Sequence, residues 1–140
     1  MKLAKKAVLF HVFILAACGL RGGGSVYFND PVPSGSIVAQ GSFSGRNNQT
    51  VTGSALIYQT TDGTYVIRLQ SLSAPDEAAL KLYATVNGTE TLMSTLKGSA
   101  GNQNYTTSVS LGATWSSVSI RSSSANPSVA EYGIALLSTP

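Results

Sequence analysis

The chain has 140 residues, 43% of them hydrophobic and only 11% charged, with a formal net charge of +3. That excess belongs to Lys2, Lys5 and Lys6. From residue 18 onward six basic residues (Arg21, Arg46, Arg68, Lys81, Lys97, Arg121) balance six acids (Asp30, Asp62, Asp76, Glu77, Glu90, Glu131), so no basic excess is left to neutralise phosphates and nucleic-acid binding is not expected.

Behind the lysines, residues 7–17 form an apolar run of 11 residues that contains His11. A membrane-spanning helix needs roughly 20 apolar residues, so this run reads as the core of a signal peptide. It ends in Leu15-Ala16-Ala17-Cys18, which resembles the lipobox of bacterial lipoproteins. The resemblance implies cleavage before Cys18, a diacylglyceryl group on its thiol and loss of residues 1–17 from the working protein. Gly19 after the cysteine is similar to lipoproteins of the outer membrane, so the expected location is the bacterial cell envelope, with the lipid on Cys18 as the membrane partner. Cleavage also removes His11, the one histidine, and the lipid occupies the one cysteine. What remains lacks the inventory for a Ser-His-Asp or Cys-His site, a typical zinc site, a disulfide or an iron–sulfur ligand set. The expectation is accordingly no enzyme and no cofactor.

Gly22, Gly23, Gly24 and Ser25 have no side chains worth burying, and residues 18–35, closing with Pro31, Pro33 and Gly35, read as a tether and entry loop. Residues 36–140 form the expected domain. Its pattern has period two: Tyr65, Ile67 and Leu69 share one face while Arg68 and Gln70 fall on the other; Leu80 and Leu82 alternate with Lys81 and Tyr83. Tyr105, Val109 and Leu111 alternate with Thr106, Ser108 and Ser110, and Val118 and Ile120 with Ser117, Ser119 and Arg121. Half-buried antiparallel strands read this way. Residues 36–43, 51–59, 90–97 and 130–138 are further strands, with both faces apolar in Ala55-Leu56-Ile57-Tyr58. Turns are expected at Asp62-Gly63, Asn87-Gly88 and Gly101-Asn102, where Gly and Asn supply positive φ, and a loop at Asn126-Pro127. Pro75 followed by Asp76, Glu77, Ala78 and Ala79 offers one helical turn as a rival reading. The predicted fold is all-β, an antiparallel β-sandwich of about eight strands.

The body from Gly41 to Leu137 resembles the DM13 family, small all-β domains linked to electron transfer. Gly41-Ser42-Phe43 is similar to its opening Gly-x-Phe strand and Val51-Thr52-Gly53-Ser54-Ala55 to its Ser-Gly-x-Ala segment. Pro75-Asp76 with Leu80-Lys81-Leu82-Tyr83, then Leu96-Lys97-Gly98 with Asn102-Gln103-Asn104-Tyr105, follow in order. Val118-Ser119-Ile120 and Tyr132-Gly133-Ile134-Ala135-Leu136 resemble its closing strands. The resemblance implies a redox cysteine just after Val118-Ser119-Ile120, where this chain has Arg121 and Ser122. A serine hydroxyl neither cycles through a disulfide nor serves as a soft metal ligand.

Three residues stand out as ligand or motif candidates: Asp76, Trp115 and Ser122. Asp76 and Glu77 are adjacent carboxylates, but no Asp-x-Asp loop supplies the six to eight oxygens of a calcium site, so a turn role for Asp76 is expected. Lys81 reads as a solvated lysine. Trp115 with the tyrosines could stack a sugar ring, yet it sits beside the alternating Val118 and Ile120, which favours packing. The expected function is a non-catalytic β-surface held at the envelope to bind a partner protein, glycan or small ligand, with an electron-transfer component or a carbohydrate-binding module as alternatives.

Overall fold

Period-two alternation becomes nine strands in the computed structural model, which describes residues 26–122 and 131–140. Cys18, the signal segment and the Asn126-Pro127 loop lie outside the described residues. The strands are β1 (Tyr27–Asn29), β2 (Ser36–Gly45), β3 (Thr52–Gln59), β4 (Tyr65–Ser73), β5 (Lys81–Val86), β6 (Thr89–Thr95), β7 (Ala100–Thr106), β8 (Trp115–Arg121) and β9 (Glu131–Leu136). They form one curled sheet in the order β1-β7-β4-β3-β2-β9-β8-β5-β6. Every neighbouring pair is antiparallel except β1 and β7, which run parallel. No helix occurs among the described residues, and none is long and apolar enough to cross a membrane.

The curl is set by β2, which serves both halves of the sheet. Its first part, Ser36 to Ser42, pairs with β3, and Phe43 to Gly45 pair with β9. Just before the switch stands Gly41, where a β-carbon would meet the Leu136 carbonyl oxygen at 2.0 Å, so only glycine lets the end of β9 approach here. The two halves thereby face one another like a sandwich, or a barrel left half open. Ile57, Ile67, Leu69, Leu80, Leu82, Val118 and Ile120 fill the space between them and are fully buried. Each such side chain contributes about 1.5–3 kcal/mol by leaving water. Central strands β3 and β4 are covered on both faces: Leu56, Tyr58 and Val66 pack with Ile37 in a second, smaller cluster. That accounts for the unbroken apolar run Ala55–Tyr58.

Two of the expected turns form as read. Asn87 (φ 50°) and Gly88 (φ 78°) join Val86 to Thr89 in a two-residue hairpin. At Asp62-Gly63 the Asp62 carboxylate accepts from the Thr60 and Thr64 hydroxyls and the Thr64 amide, and these bonds hold its pKa below the ordinary value.

Elsewhere the expectations need correcting. Gly101-Asn102 lies inside β7, not in a turn; Gly101 (φ +99°) accompanies a bulge against β4, where Ser71 also has positive φ. The strand expected at 105–111 therefore ends at Thr106. Its start was concealed because its inward side chains are Gly101, Gln103 and Tyr105, of which only the last is a large aromatic. Pro75 to Ala79 form a loop: Ala79 adopts φ 59° and the Glu77 amide donates to the Pro75 carbonyl two residues back, which is not the bond of a helical turn. The ninth strand, β1, lies in the stretch read as tether, and three residues beginning at Tyr27 are too short for any periodicity to register.

Candidate functional site

The chain enters the fold through a polar clasp on β1. Asn29 Oδ1 accepts from Asn102 Nδ2 (2.8 Å), and the Asp30 amide donates to the Asn102 carbonyl (2.9 Å). Beneath this segment lies Arg68, expected on a solvent face but only 3% exposed. Its guanidinium donates to the carbonyls of Asp30 and Pro31 (both 3.1 Å) and to Asn104 Oδ1 (2.9 Å). A buried cation is tolerated only when its donors are satisfied, and here the entering chain supplies the acceptors. The Asp30 carboxylate pairs with Lys97 and accepts from the Asn104 amide (2.8 Å).

Those two contacts, the Lys97 bond foremost, hold the Asp30 pKa below its ordinary value of 3.8. Because the folded value lies under the unfolded one, this stabilisation is present above 3.8 and disappears as pH falls through the lower, folded value. Asp30→Asn should therefore have a lower Tm than the parent near about pH 6, and the two should converge near about pH 2. A gap that stays constant with pH would contradict the assignment.

A second network explains Leu96-Lys97-Gly98 and Asn102–Tyr105 together. Tyr105 Oη accepts from the Lys97 amide (2.9 Å) and donates to Gln103 Oε1 (2.5 Å), and Gln103 Nε2 donates to the carbonyls of Gly98 (2.9 Å) and Ala100 (3.2 Å). Gln103 and Tyr105 point into the core while Asn102 and Asn104 clasp β1 on the other face. Burial pushes the Tyr105 phenol up to about 12, against the Lys97 amide, which favours the phenolate; the Asp30 charge adds to the rise.

The sequence candidates do not converge. Asp76 is exposed in the loop before β5, lining a shallow cleft with Leu96, Lys97 and Ser99. Ser122 stands near that loop: its hydroxyl donates to Glu77 Oε1 (2.5 Å), and Tyr132 Oη donates to Glu77 Oε2 (2.6 Å). Glu77 thus ties the loop to the ends of β8 and β9. Trp115 begins β8, roughly 20 Å from Ser122 at strand rise. It is 7% exposed and meets Tyr65 edge to face, with centroids 5.4 Å apart. Lys81 bonds Thr95 (2.8 Å) across to β6. Arg121 stacks over the Tyr83 ring (4.8 Å) and pairs with Glu90 (2.6 Å) and Glu131 (3.5 Å), joining strands β6, β5, β8 and β9.

The feature that sequence reasoning missed is the open seam of the half-barrel. β6 is a margin of the sheet and pairs only with β5. Beside it runs a groove of about 600 Å³, lined by Thr91, Leu92 and Met93 of β6, by Val86, and by Thr106, Thr107, Ser108 and Val109 where the chain leaves β7. Its walls carry aliphatic groups, a thioether and hydroxyls, with no ionisable side chain. The strand at 90–97 is legible in the sequence; that it ends the sheet is not, because edge status depends on which strands pair.

No protein-family model, no curated protein and no solved structure matches this chain.

Proposed function

We propose that the protein is a bacterial envelope lipoprotein, anchored by lipid on Cys18, whose β-body binds a partner and catalyses nothing. The observation that carries the binding half is the seam groove. A margin strand offers a row of backbone donors and acceptors, and the uncharged groove beside it has Leu92 half exposed to receive a side chain. An extended, uncharged segment of another envelope protein suits both. A glycan platform is less well supported, since the Trp115 ring faces Tyr65 inside the body. The DM13 likeness is retained for the fold: its sharpest motif builds the Gln103–Tyr105–Lys97 network, and Ser122 bonds Glu77 where the family implies a redox cysteine.

The anchor half rests on Leu15-Ala16-Ala17-Cys18. Cys18→Ser should move the protein from the membrane to the soluble fraction; unchanged fractionation would refute the anchor. For the groove, hexapeptides alternating valine and threonine should perturb NMR amide signals of residues 89–95 and 106–109, and Leu92→Lys should abolish the effect. Shifts elsewhere, or none, would refute the groove.

A further inference from the structure

Large apolar side chains are exposed at six described positions, and three of them, Val26 (58%), Tyr27 (67%) and Val32 (64%), fall within seven consecutive residues at the start of the fold. The other three, Leu92, Leu111 and Leu136, are scattered over β6, the β7–β8 loop and β9. This N-terminal rim is also the part of the body tied most closely to the anchor. Eight Cα steps separate Cys18 from Val26, and at 3.8 Å each they reach at most about 30 Å by any path.

We infer that the rim of Val26, Tyr27 and Val32 rests on the lipid surface. The inference relies on Cys18 being the anchor, as proposed above. Three observations favour a bilayer over another occupant. The tether ends at this rim and nowhere else. The rim's own acid, Asp30, is already neutralised by Lys97, and the exposed Asp76, which shares a cleft with Val26, suits a zwitterionic headgroup surface over an anionic one. Tyr27 has an apolar ring with a polar tip, the combination that accumulates at the headgroup level. Contact at the rim need not be strong, because the anchor raises the local concentration of one surface against the other. The clasp of Arg68, Asn102 and Asn104 then has a purpose: it keeps β1 fixed to β7, so that the rim's orientation is transmitted to the whole sheet.

Fluorescence quenching by brominated phosphatidylcholine tests this. Tyr27→Trp and Leu111→Trp variants, each starting at Cys18 and coupled through that thiol to a maleimide phospholipid in the vesicles, share the buried Trp115 as a common background. The variants begin ahead of the first described residue, so every strand is retained. Coupling supplies the tether chemically, which separates failure of rim contact from failure of cellular lipidation. The expected result is loss of emission from the tryptophan at 27 and none at 111, with the loss at 27 diminished by adding Val26→Ser and Val32→Ser. Equal quenching at both positions, or none at either, would overturn the inference. So would concentration-dependent sedimentation of the unanchored body that Val26→Ser and Val32→Ser abolish, which would give the rim to a second copy.

Discussion

Replacing Gly101 with alanine should release β1 from the sheet. Gly101 has φ +99°, a region that side chains with a β-carbon avoid, and the added carbon would sit 2.0 Å from the Phe28 carbonyl oxygen and 2.9 Å from its carbonyl carbon and nitrogen. All three atoms are backbone, so relief requires β1 itself to move. β1 pairs with no strand but β7, and its departure would take the Asp30 and Pro31 carbonyls away from Arg68. Backbone strain of about 1–3 kcal/mol and a buried cation short of acceptors, worth another 1–3, together cost about 2–4 kcal/mol after partial relaxation. For a body of this size that lowers Tm by roughly 10–20 °C. Hydrogen exchange should show protection lost at residues 27–30. Gly88→Ala is the control: its φ is +78°, but nothing lies within 4 Å of the added carbon, so it should lower Tm modestly and leave β1 protected. If Gly101→Ala retains protection at residues 27–30, the account of β1 is wrong. The same variant should weaken rim contact with vesicles, because the first fixed strand would then be β2 and the leash would run to Ser36.

How far the sequence could be read follows from the kind of signal each part leaves. Strands whose inward residues are apolar, such as Leu82, Ala84 and Val86 in β5, write their alternation openly. β7 hides because Gly101 and Gln103 occupy inward positions, and a glutamine is tolerated there only through bonds to the Gly98 and Ala100 carbonyls, which leave no periodicity in the sequence. Arg68 misleads in the opposite sense. It has the polarity of a solvent-facing residue and is buried by a segment 37 residues earlier. The seam groove depends on the order in which nine strands associate, and no local pattern encodes that order. Asp76, Trp115 and Ser122 were visible as unusual residue types in their settings, but their separation in space follows from strand length and topology.

Tyr105→Phe should destabilise the body and flatten its response to alkali. Deleting the hydroxyl leaves the Lys97 amide without its acceptor and Gln103 Oε1 without its donor, at a site where Tyr105 and Gln103 are both buried. Each unsatisfied group costs about 1–3 kcal/mol, so a loss of about 2–4 is expected. Gln103→Leu alone should cost a comparable amount, since the Gly98 and Ala100 carbonyls then lose their donor, and the double variant should lose less than the sum because one network is being removed twice. The pH dependence is independent of that cycle. The folded phenol lies at about 12 against 10 for an ordinary tyrosine, so between those values the unfolded chain has released a proton that the folded one retains. Stability is thus fully present below pH 10 and declines as pH rises toward 12, by about 3 kcal/mol in total. Urea unfolding on either side of pH 10 should show this decline in the parent and not in Tyr105→Phe, the remaining tyrosines being common to both. Parallel declines in the two proteins would mean that Tyr105 ionises freely and that its burial does not hold the proton in place.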